Sequence, residues 1–214
     1  MKTITINVFP YSELSDKSKQ VVRERYRLSE YGSALGHAFD NVVKDFLTML
    51  PPLGITGLKE NEKPKVMFSC SYSRKDGAYF EGIWRARDAA HSLKAMKYWD
   101  SLDKELHRIA GELGQSALSE PNMQVTITHD RGRYSNSSCV DMKVSNYNEE
   151  GYNVRPADES VCIIRNALRD LMDWLYAKLL AEQEYQYPDK EIGEELNYCE
   201  DIYYTAEGKC VSIE

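Results

Sequence analysis

Apolar and polar residues alternate from residue 2 to residue 9, with Ile4, Ile6 and Val8 on one face and Thr3, Thr5 and Asn7 on the other. Period-two alternation marks a half-buried strand, and Pro10, which has no N–H for a ladder, ends it. The period then changes. Ser15 carries the short oxygen-bearing side chain that caps a helix, and Asp16 stands next in the first turn, where the positive end of the helix dipole favours acidic groups. Val21, Val22, Arg25 and Tyr26 continue at helical spacing over 16–28. Gly32 and Gly36 loosen the stretch beyond residue 28. A second helix is expected over 38–50, where Phe39, Val42, Val43, Phe46, Leu47 and Leu50 form an apolar stripe, until Pro51-Pro52 stops it.

Residues 54–64 read as a polar connection. Two strands, 65–73 and 79–85, then flank Asp76-Gly77, a pair suited to the positive φ of tight hairpin turns. Asp88 is placed to cap a helix through Ala89, Ala90, Leu93, Met96 and Tyr98, and a further helix over 102–118 presents Leu102, Leu106, Ile109, Ala110 and Leu113. Beyond Pro121, alternation returns over 123–128 and 139–145, with a loop between them. The longest helix, 159–185, carries Val161, Ile164, Leu168, Leu171, Met172, Leu175, Leu179 and Leu180 along one side. Pro188, a short acidic helix near 189–196 and a closing strand over 209–213 complete the chain.

Strands and helices that do not alternate strictly point to an α+β fold, an antiparallel sheet of about five to six strands with helices packed mainly on one face. No internal repeat and no linker is visible. A single α+β domain over 1–214 is expected, with an acidic, tyrosine-rich segment at about 181–214.

Charge sharpens that last feature. The net charge is −7, yet residues 181–214 hold ten acidic side chains against Lys190 and Lys209, a net −8. The remainder is therefore close to neutral, and direct nucleic-acid binding by the acidic end is not expected, because phosphate contacts need a basic face. Five widely spaced cysteines without a C-x-x-C pair exclude a disulfide framework and a zinc knuckle as readings, and leave free thiols in a reducing cytoplasm. No apolar run approaches the roughly 18 residues of a membrane span.

The hairpin also carries a resemblance. Phe68 with Ser73-Arg74-Lys75-Asp76-Gly77-Ala78-Tyr79-Phe80 resembles a family of uncharacterised bacteriophage and prophage accessory proteins that carry a Ser-Gln-Gly-Asp-Gly-Ala-x-Phe hairpin. Glu13-Leu14-Ser15-Asp16-Lys17-Ser18-Lys19, Arg23 to Tyr26, Glu105-Leu106-His107-Arg108-Ile109-Ala110 and Leu168-Arg169-Asp170 are similar to other parts of that pattern. Arg74-Lys75 stands where the family has Gln-Gly. Some members are labelled antitoxin. The resemblance implies a phage-encoded accessory protein in the host cytoplasm, and brings no catalytic or ligand residue with it.

Candidate chemistry is sparse. Arg74 and Lys75, flanked by Tyr72, Tyr79 and Trp84, form a cationic, aromatic tip able to hold an anionic ligand or an acidic surface; turn geometry alone accounts for Asp76-Gly77. His129-Asp130-Arg131-Gly132-Arg133-Tyr134 is a second basic loop in which Arg131 and Arg133 suit phosphate or carboxylate. A plain polar loop is the simpler explanation of it. His37, His91, His107 and His129 lack metal-binding spacing, and no phosphate loop or nucleophile motif occurs. Neither a cofactor nor a metal is expected. Trp84, Trp99 and Trp174 read as core residues or as the lining of a pocket.

The acidic segment either solvates a face or binds protein. Glu191, Glu194, Glu195, Tyr198, Glu200 and Asp201 are its candidate surface, since tyrosines beside carboxylates give contact area at low entropic cost. Spaced carboxylates also imitate a phosphate backbone. The leading expectation is a non-enzymatic accessory protein that binds and inhibits a host protein, a defence component or a toxin. The alternative is a small-ligand binder that sequesters an anionic nucleotide signal through Arg74, Lys75, Arg131 and Arg133. An enzyme using His129 and Asp130 is a third.

Overall fold

Where the glycines predict two helices, one runs without a break: α1 (Asp16–Met49). Gly32 and Gly36 lie inside it with no neighbouring atom near the place of a Cβ. Each costs about 1 kcal/mol relative to alanine. Burial of Leu35 and Phe39 on the same helix offsets that cost, so the glycines do not break it. The computed structural model describes residues 6–57, 65–70, 76–89, 103–130, 134–147, 150–199 and 201–211.

The chain divides into two compact units, one of Met1–Phe39, Ser71–Ser73 and Leu180–Glu214, the other of Asp40–Cys70 and Arg74–Leu179. Both chain ends contribute to the first, so no single cut separates the two. That is why the sequence displays no linker.

The second unit holds the sheet. Its strands are β1 (Ile55–Thr56), β2 (Lys65–Ser69), β3 (Gly77–Arg85), β4 (Met123–His129) and β5 (Val140–Asn146). The order is β1-β3-β4-β5 with β2 also on β3, and every pairing is antiparallel. This is the α+β architecture the alternation predicts. Ile55, Trp84, Val125 and Val144 lie side by side across four strands. The first three are fully buried, and Phe80, Met123, Ile127 and Met142 extend the same face. Arg85, Gln124 and Ser145 form the next row and point the other way, half-buried, with Lys143 and Asp141 of β5 exposed on that face.

Helices cover the apolar face. Phe46 of α1 meets Phe80 of β3 at 5.9 Å between ring centroids, and Trp174 of the long helix α3 (Asp158–Gln186) at 6.4 Å. The helix α2 (Lys104–Ser119) starts at Asp103, whose Oδ1 accepts the N–H groups of Glu105 and Leu106. Its Oδ2 accepts Trp174 Nε1–H at 2.8 Å and pairs with Lys178, which ties the start of α2 to α3. Two departures mark this unit. Residues 54–57 are not all loop, because Gly54 turns through φ 81° and delivers the buried Ile55 beside Trp84. The helix expected after Asp88 is visible over 86–89; its remainder lies outside the described residues.

The first unit is built from the two ends of the chain. Tyr11, Leu14 and Val22 pack with Ile192, Leu196 and Tyr204 in one core cluster. Ile192 and Leu196 come from α4 (Asp189–Tyr198), and Tyr204 from a hairpin of β6 (Tyr203–Tyr204) and β7 (Cys210–Val211). Gly208 at φ 77° turns that hairpin against α1; a Cβ there would stand 2.8 Å from the Ser18 carbonyl oxygen. The strand expected over 2–9 reduces, among the described residues, to one bridge in which Phe9 and Tyr204 exchange N–H···O bonds of 2.9 Å. The closing strand over 209–213 is described over β7, and its partner β6 has no counterpart among the expected strands.

Candidate protein-interaction site

α4 is amphipathic in a way its sequence spells out. Ile192 and Leu196, one helical turn apart, are both 2 % exposed and hold the helix to the core cluster. Glu191, Glu194, Glu195 and Tyr198 recur at the i, i+3, i+4, i+7 spacing that puts them on one stripe, and all four are exposed. Tyr198 is 85 % exposed and Tyr185, on α3, 79 %. Asp201 is exposed just beyond α4, while Glu200 lies outside the described residues. Most of the acidic surface read from the sequence is thus one face of one helix.

Not all of the acidity faces water. Arg27 of α1 is fully buried; its Nη2 donates to Asp189 Oδ1 at 2.7 Å and to the Tyr187 carbonyl at 2.9 Å, with Glu184 at 3.4 Å. Arg23 takes the other Asp189 oxygen at 2.8 Å and donates to the Tyr11 hydroxyl. Burial alone would raise the Asp189 pKa, but the hydrogen bonds from Arg27 and Arg23 outweigh it and hold the carboxyl below its usual range. Asp189 and Glu184 are therefore anchors for the segment. Glu24 lies beside them with the opposite balance: burial, the largest influence, pushes its pKa up to about 7.

An aromatic cluster adjoins the stripe. Tyr31 stacks on Tyr187 with centroids 4.2 Å apart and planes 14° from parallel, and meets Tyr26 edge-on at 6.3 Å. The Tyr31 hydroxyl donates to Glu195 at 3.2 Å. Burial first, and the Glu195 charge second, push Tyr26 up to about 12 and raise Tyr31, so both phenols remain donors at neutral pH. Sequence reasoning missed Tyr26, Tyr31, Arg23 and Arg27. Arg23 and Arg27 are four residues apart and so share one helical face, but their pairing with Asp189 is visible only in the fold.

Beside this cluster α1 and the β6–β7 hairpin enclose a groove of about 320 Å³. Val22, Tyr26, Ile202 and Tyr204 give it apolar walls, with Arg25 and Glu30 among its polar residues. Arg25 donates to the Gly208 carbonyl and so fixes one wall to the other. An apolar groove next to an acidic, tyrosine-bearing stripe can accept an extended or helical segment that is apolar on one side and basic on the other.

The hairpin candidates fare differently. Tyr72, Arg74, Lys75, Arg131 and Arg133 lie outside the described residues. Trp84 is a correction: it is fully buried in the sheet row with Val125, so it packs the core and does not flank a binding tip. Tyr79 is 6 % exposed and stacks on His129 at 4.4 Å, which likewise withdraws it from a surface role. Asp76 accepts the Ser69 hydroxyl at 2.7 Å, and Gly77 pairs with Ser69 at the start of β3. A Cβ at Gly77 would lie 2.8 Å from the Asn136 Cα, so close approach of the 134–139 segment explains this glycine as well as any turn does. The His129 ring nitrogen Nε2 lies 3.0 Å from the Tyr134 carbonyl, and its backbone N–H donates to Glu81. Asp130 donates its N–H to the Cys139 carbonyl.

Among the described residues, no group of His, Cys, Asp and Glu could hold a metal ion. Nor is any helix there long and apolar enough to cross a membrane. The cysteines are unpaired, and burial pushes the Cys70 thiol up to about 12.

The family model described as Domain of unknown function (DUF8835) matches residues 39–189, most of the chain. The match takes in the whole five-stranded sheet, α2 and all of α3, and ends where α4 begins. No curated protein and no solved structure matches the chain.

Proposed function

Since the chain belongs to this DUF8835 family, whose description carries no activity, we propose from the geometry that the protein acts without catalysis, by binding a basic surface of another protein. The occupied face would be the stripe Glu191, Glu194, Glu195 and Tyr198 with the groove of Tyr26, Ile202 and Tyr204. In the context implied by the hairpin resemblance, the partner is a host protein and the outcome is its inhibition, as an anti-defence or antitoxin-like factor.

One observation carries this reading. Four exposed residues, three acidic and one aromatic, share a single face of α4, with Glu195 taking the Tyr31 hydroxyl and Glu194 near Lys190, while Glu184 and Asp189 lie off that face and are paired with arginines. A segment that merely kept the protein dissolved would have no need to present a bare tyrosine, 85 % exposed, in line with its carboxylates. Carboxylates in such a row attract a basic surface and speed its encounter, and the ring then supplies buried area.

The test is affinity capture from the natural host, followed by binding measurements with the purified partner. Reversing charge at Glu191 and Glu194 to lysine is expected to weaken binding at least tenfold and to reduce its salt dependence, with the melting temperature unchanged. Tyr198→Ala should weaken it as well. Affinity that survives both changes would sink the reading.

A further inference from the structure

We propose a second site of different chemistry at one end of the sheet, a cleft that binds the phosphate of a phosphomonoester. Arg85 is the last residue of β3 and stands across the ladder from Gln124. Arg87 lies two residues on. Asn122 lies in the turn before β4, and Tyr147 directly follows β5. Together they line a cleft of about 190 Å³, completed by Pro121 and Met123.

The lining is rich in donors and holds no carboxylate. Two arginines, two residues with side-chain amides and a tyrosine line one space. Arg85 is held in place because its Nη1 donates to the Thr56 hydroxyl at 2.9 Å, and among the described residues it has no ion-pair partner. A cation positioned by a neutral hydroxyl keeps its charge for a ligand. Arg87 is 76 % exposed and its Nε lies 3.7 Å from Asp88, a long pairing that uses the inner edge of the guanidinium. The Nη1–Nη2 edge also carries two parallel N–H groups and can meet a phosphate bidentately.

Size decides the ligand class. Sites for drug-sized molecules begin at roughly 300 Å³, and this cleft is smaller, so it takes a phosphate and its ester carbon while the rest of the molecule lies outside. Tyr147, 45 % exposed at the cleft edge, offers a ring face to whatever projects. A sugar phosphate and a mononucleotide share the anchoring chemistry and differ in what meets that ring. The site lies wholly in the sheet-bearing unit and shares no residue with the acidic stripe.

The experiment is calorimetric titration of the full chain with inorganic phosphate, ribose 5-phosphate and AMP, with adenosine as the uncharged comparison. Saturable binding of ribose 5-phosphate or AMP, and none of adenosine, is expected. Arg87→Glu, a change at an exposed side chain, should weaken binding at least tenfold. Arg85→Gln should do the same while its melting temperature reports on the Thr56 contact. AMP binding more tightly than ribose 5-phosphate, with the difference lost in Tyr147→Ala, assigns a nucleotide; equal affinities assign a sugar phosphate. No saturable binding of any of the three phosphates at millimolar concentration, or equal affinity in Arg87→Glu, overturns the proposal.

Discussion

Arg27 and Asp189 are 162 residues apart in the chain and 2.7 Å apart in space, a fully buried guanidinium held by a half-exposed carboxylate. A charge removed from water is tolerable only while its partners remain. Asp189→Ala takes away one of them and also frees Arg23. It should cost about 2 kcal/mol, the range for hydrogen bonds to charged groups. Arg27→Met removes the buried charge itself and fills similar space, so it should cost less. Urea unfolding of the two variants and of the double variant measures the coupling, and a larger loss in Arg27→Met would contradict this account.

Glu24 should make stability fall with rising pH. Its folded pKa is raised to about 7, first by burial and then by the Asp189 charge, against Arg27, Arg23 and Gln20, which lower it. Between about 4.5 and 7 the folded chain keeps a proton that the unfolded chain has released, so stability declines across that window and levels off above it. A tenfold difference in proton affinity between the two states is worth about 1.4 kcal/mol, and the Glu24 side chain is buried, so the decline across that window is on the order of 3 kcal/mol. Glu24→Gln removes the titration. Unfolding free energies at pH 5 and pH 8 should differ less in the variant than in the parent, and the variant should be the more stable at pH 8.

The sheet was legible because its strands alternate cleanly, and the residues marked apolar, such as Val125, Ile127 and Met142, are the ones that are buried. β1 was not legible, because two residues after a left-handed glycine leave no period to read. α1 reads as two helices because glycine counts as a breaker locally, whereas Leu35 and Phe39 decide the outcome through burial elsewhere. The residues of the α4 stripe were legible from composition, and the helix, running on to Tyr198, sets them on one face. Arg27 was not: a run reading Arg23, Arg25, Arg27 looks like a solvated basic face, and only the fold shows that one of the three is buried. Trp84 suggests a surface role because it is near the hairpin in sequence, yet alternate residues of β3 point to opposite faces and it falls on the inner one.

Trp84 is also the largest side chain among those fully buried, and its Nε1–H has no hydrogen-bond partner among the described residues. Trp84→Ala should cost about 3–5 kcal/mol through the cavity it leaves. Trp84→Phe keeps much of the ring and removes the unpaired donor, so the two effects oppose each other. It should cost well under half as much in chemical denaturation. Equal losses would mean that filling the volume does not govern the position.

Gly208 offers a backbone test of the first unit. At φ 77° an L side chain is strained, and the 2.8 Å approach of a Cβ to the Ser18 carbonyl oxygen adds a collision with backbone. Gly208→Ala should destabilise by more than the roughly 1 kcal/mol of left-handed strain alone. Because the hairpin walls the groove, the same change should weaken partner binding while leaving any phosphate binding at Arg85 and Arg87 unchanged. Loss of both would mean that the variant had disturbed more than its own unit.

Asp103 supplies a dependence on pH of the opposite sign. Burial alone would raise its pKa, but hydrogen bonds from Lys178, Trp174 and the Leu106 N–H together hold it down to about 2. The unfolded chain then takes up its proton near pH 4 while the folded chain does not. The stabilisation is complete above that pH and is lost as pH falls through about 2. Asp103→Ala removes the cap of α2 and both ties to α3, and should cost about 1–2 kcal/mol at pH 7, the range for a lost helix cap. Asp103→Asn keeps a capping oxygen but gives up the charge, and should recover part of that loss. The gap between parent and Asp103→Asn, followed by thermal unfolding from pH 6 down to pH 2, should narrow below pH 4; a constant gap would place the effect in packing instead of charge.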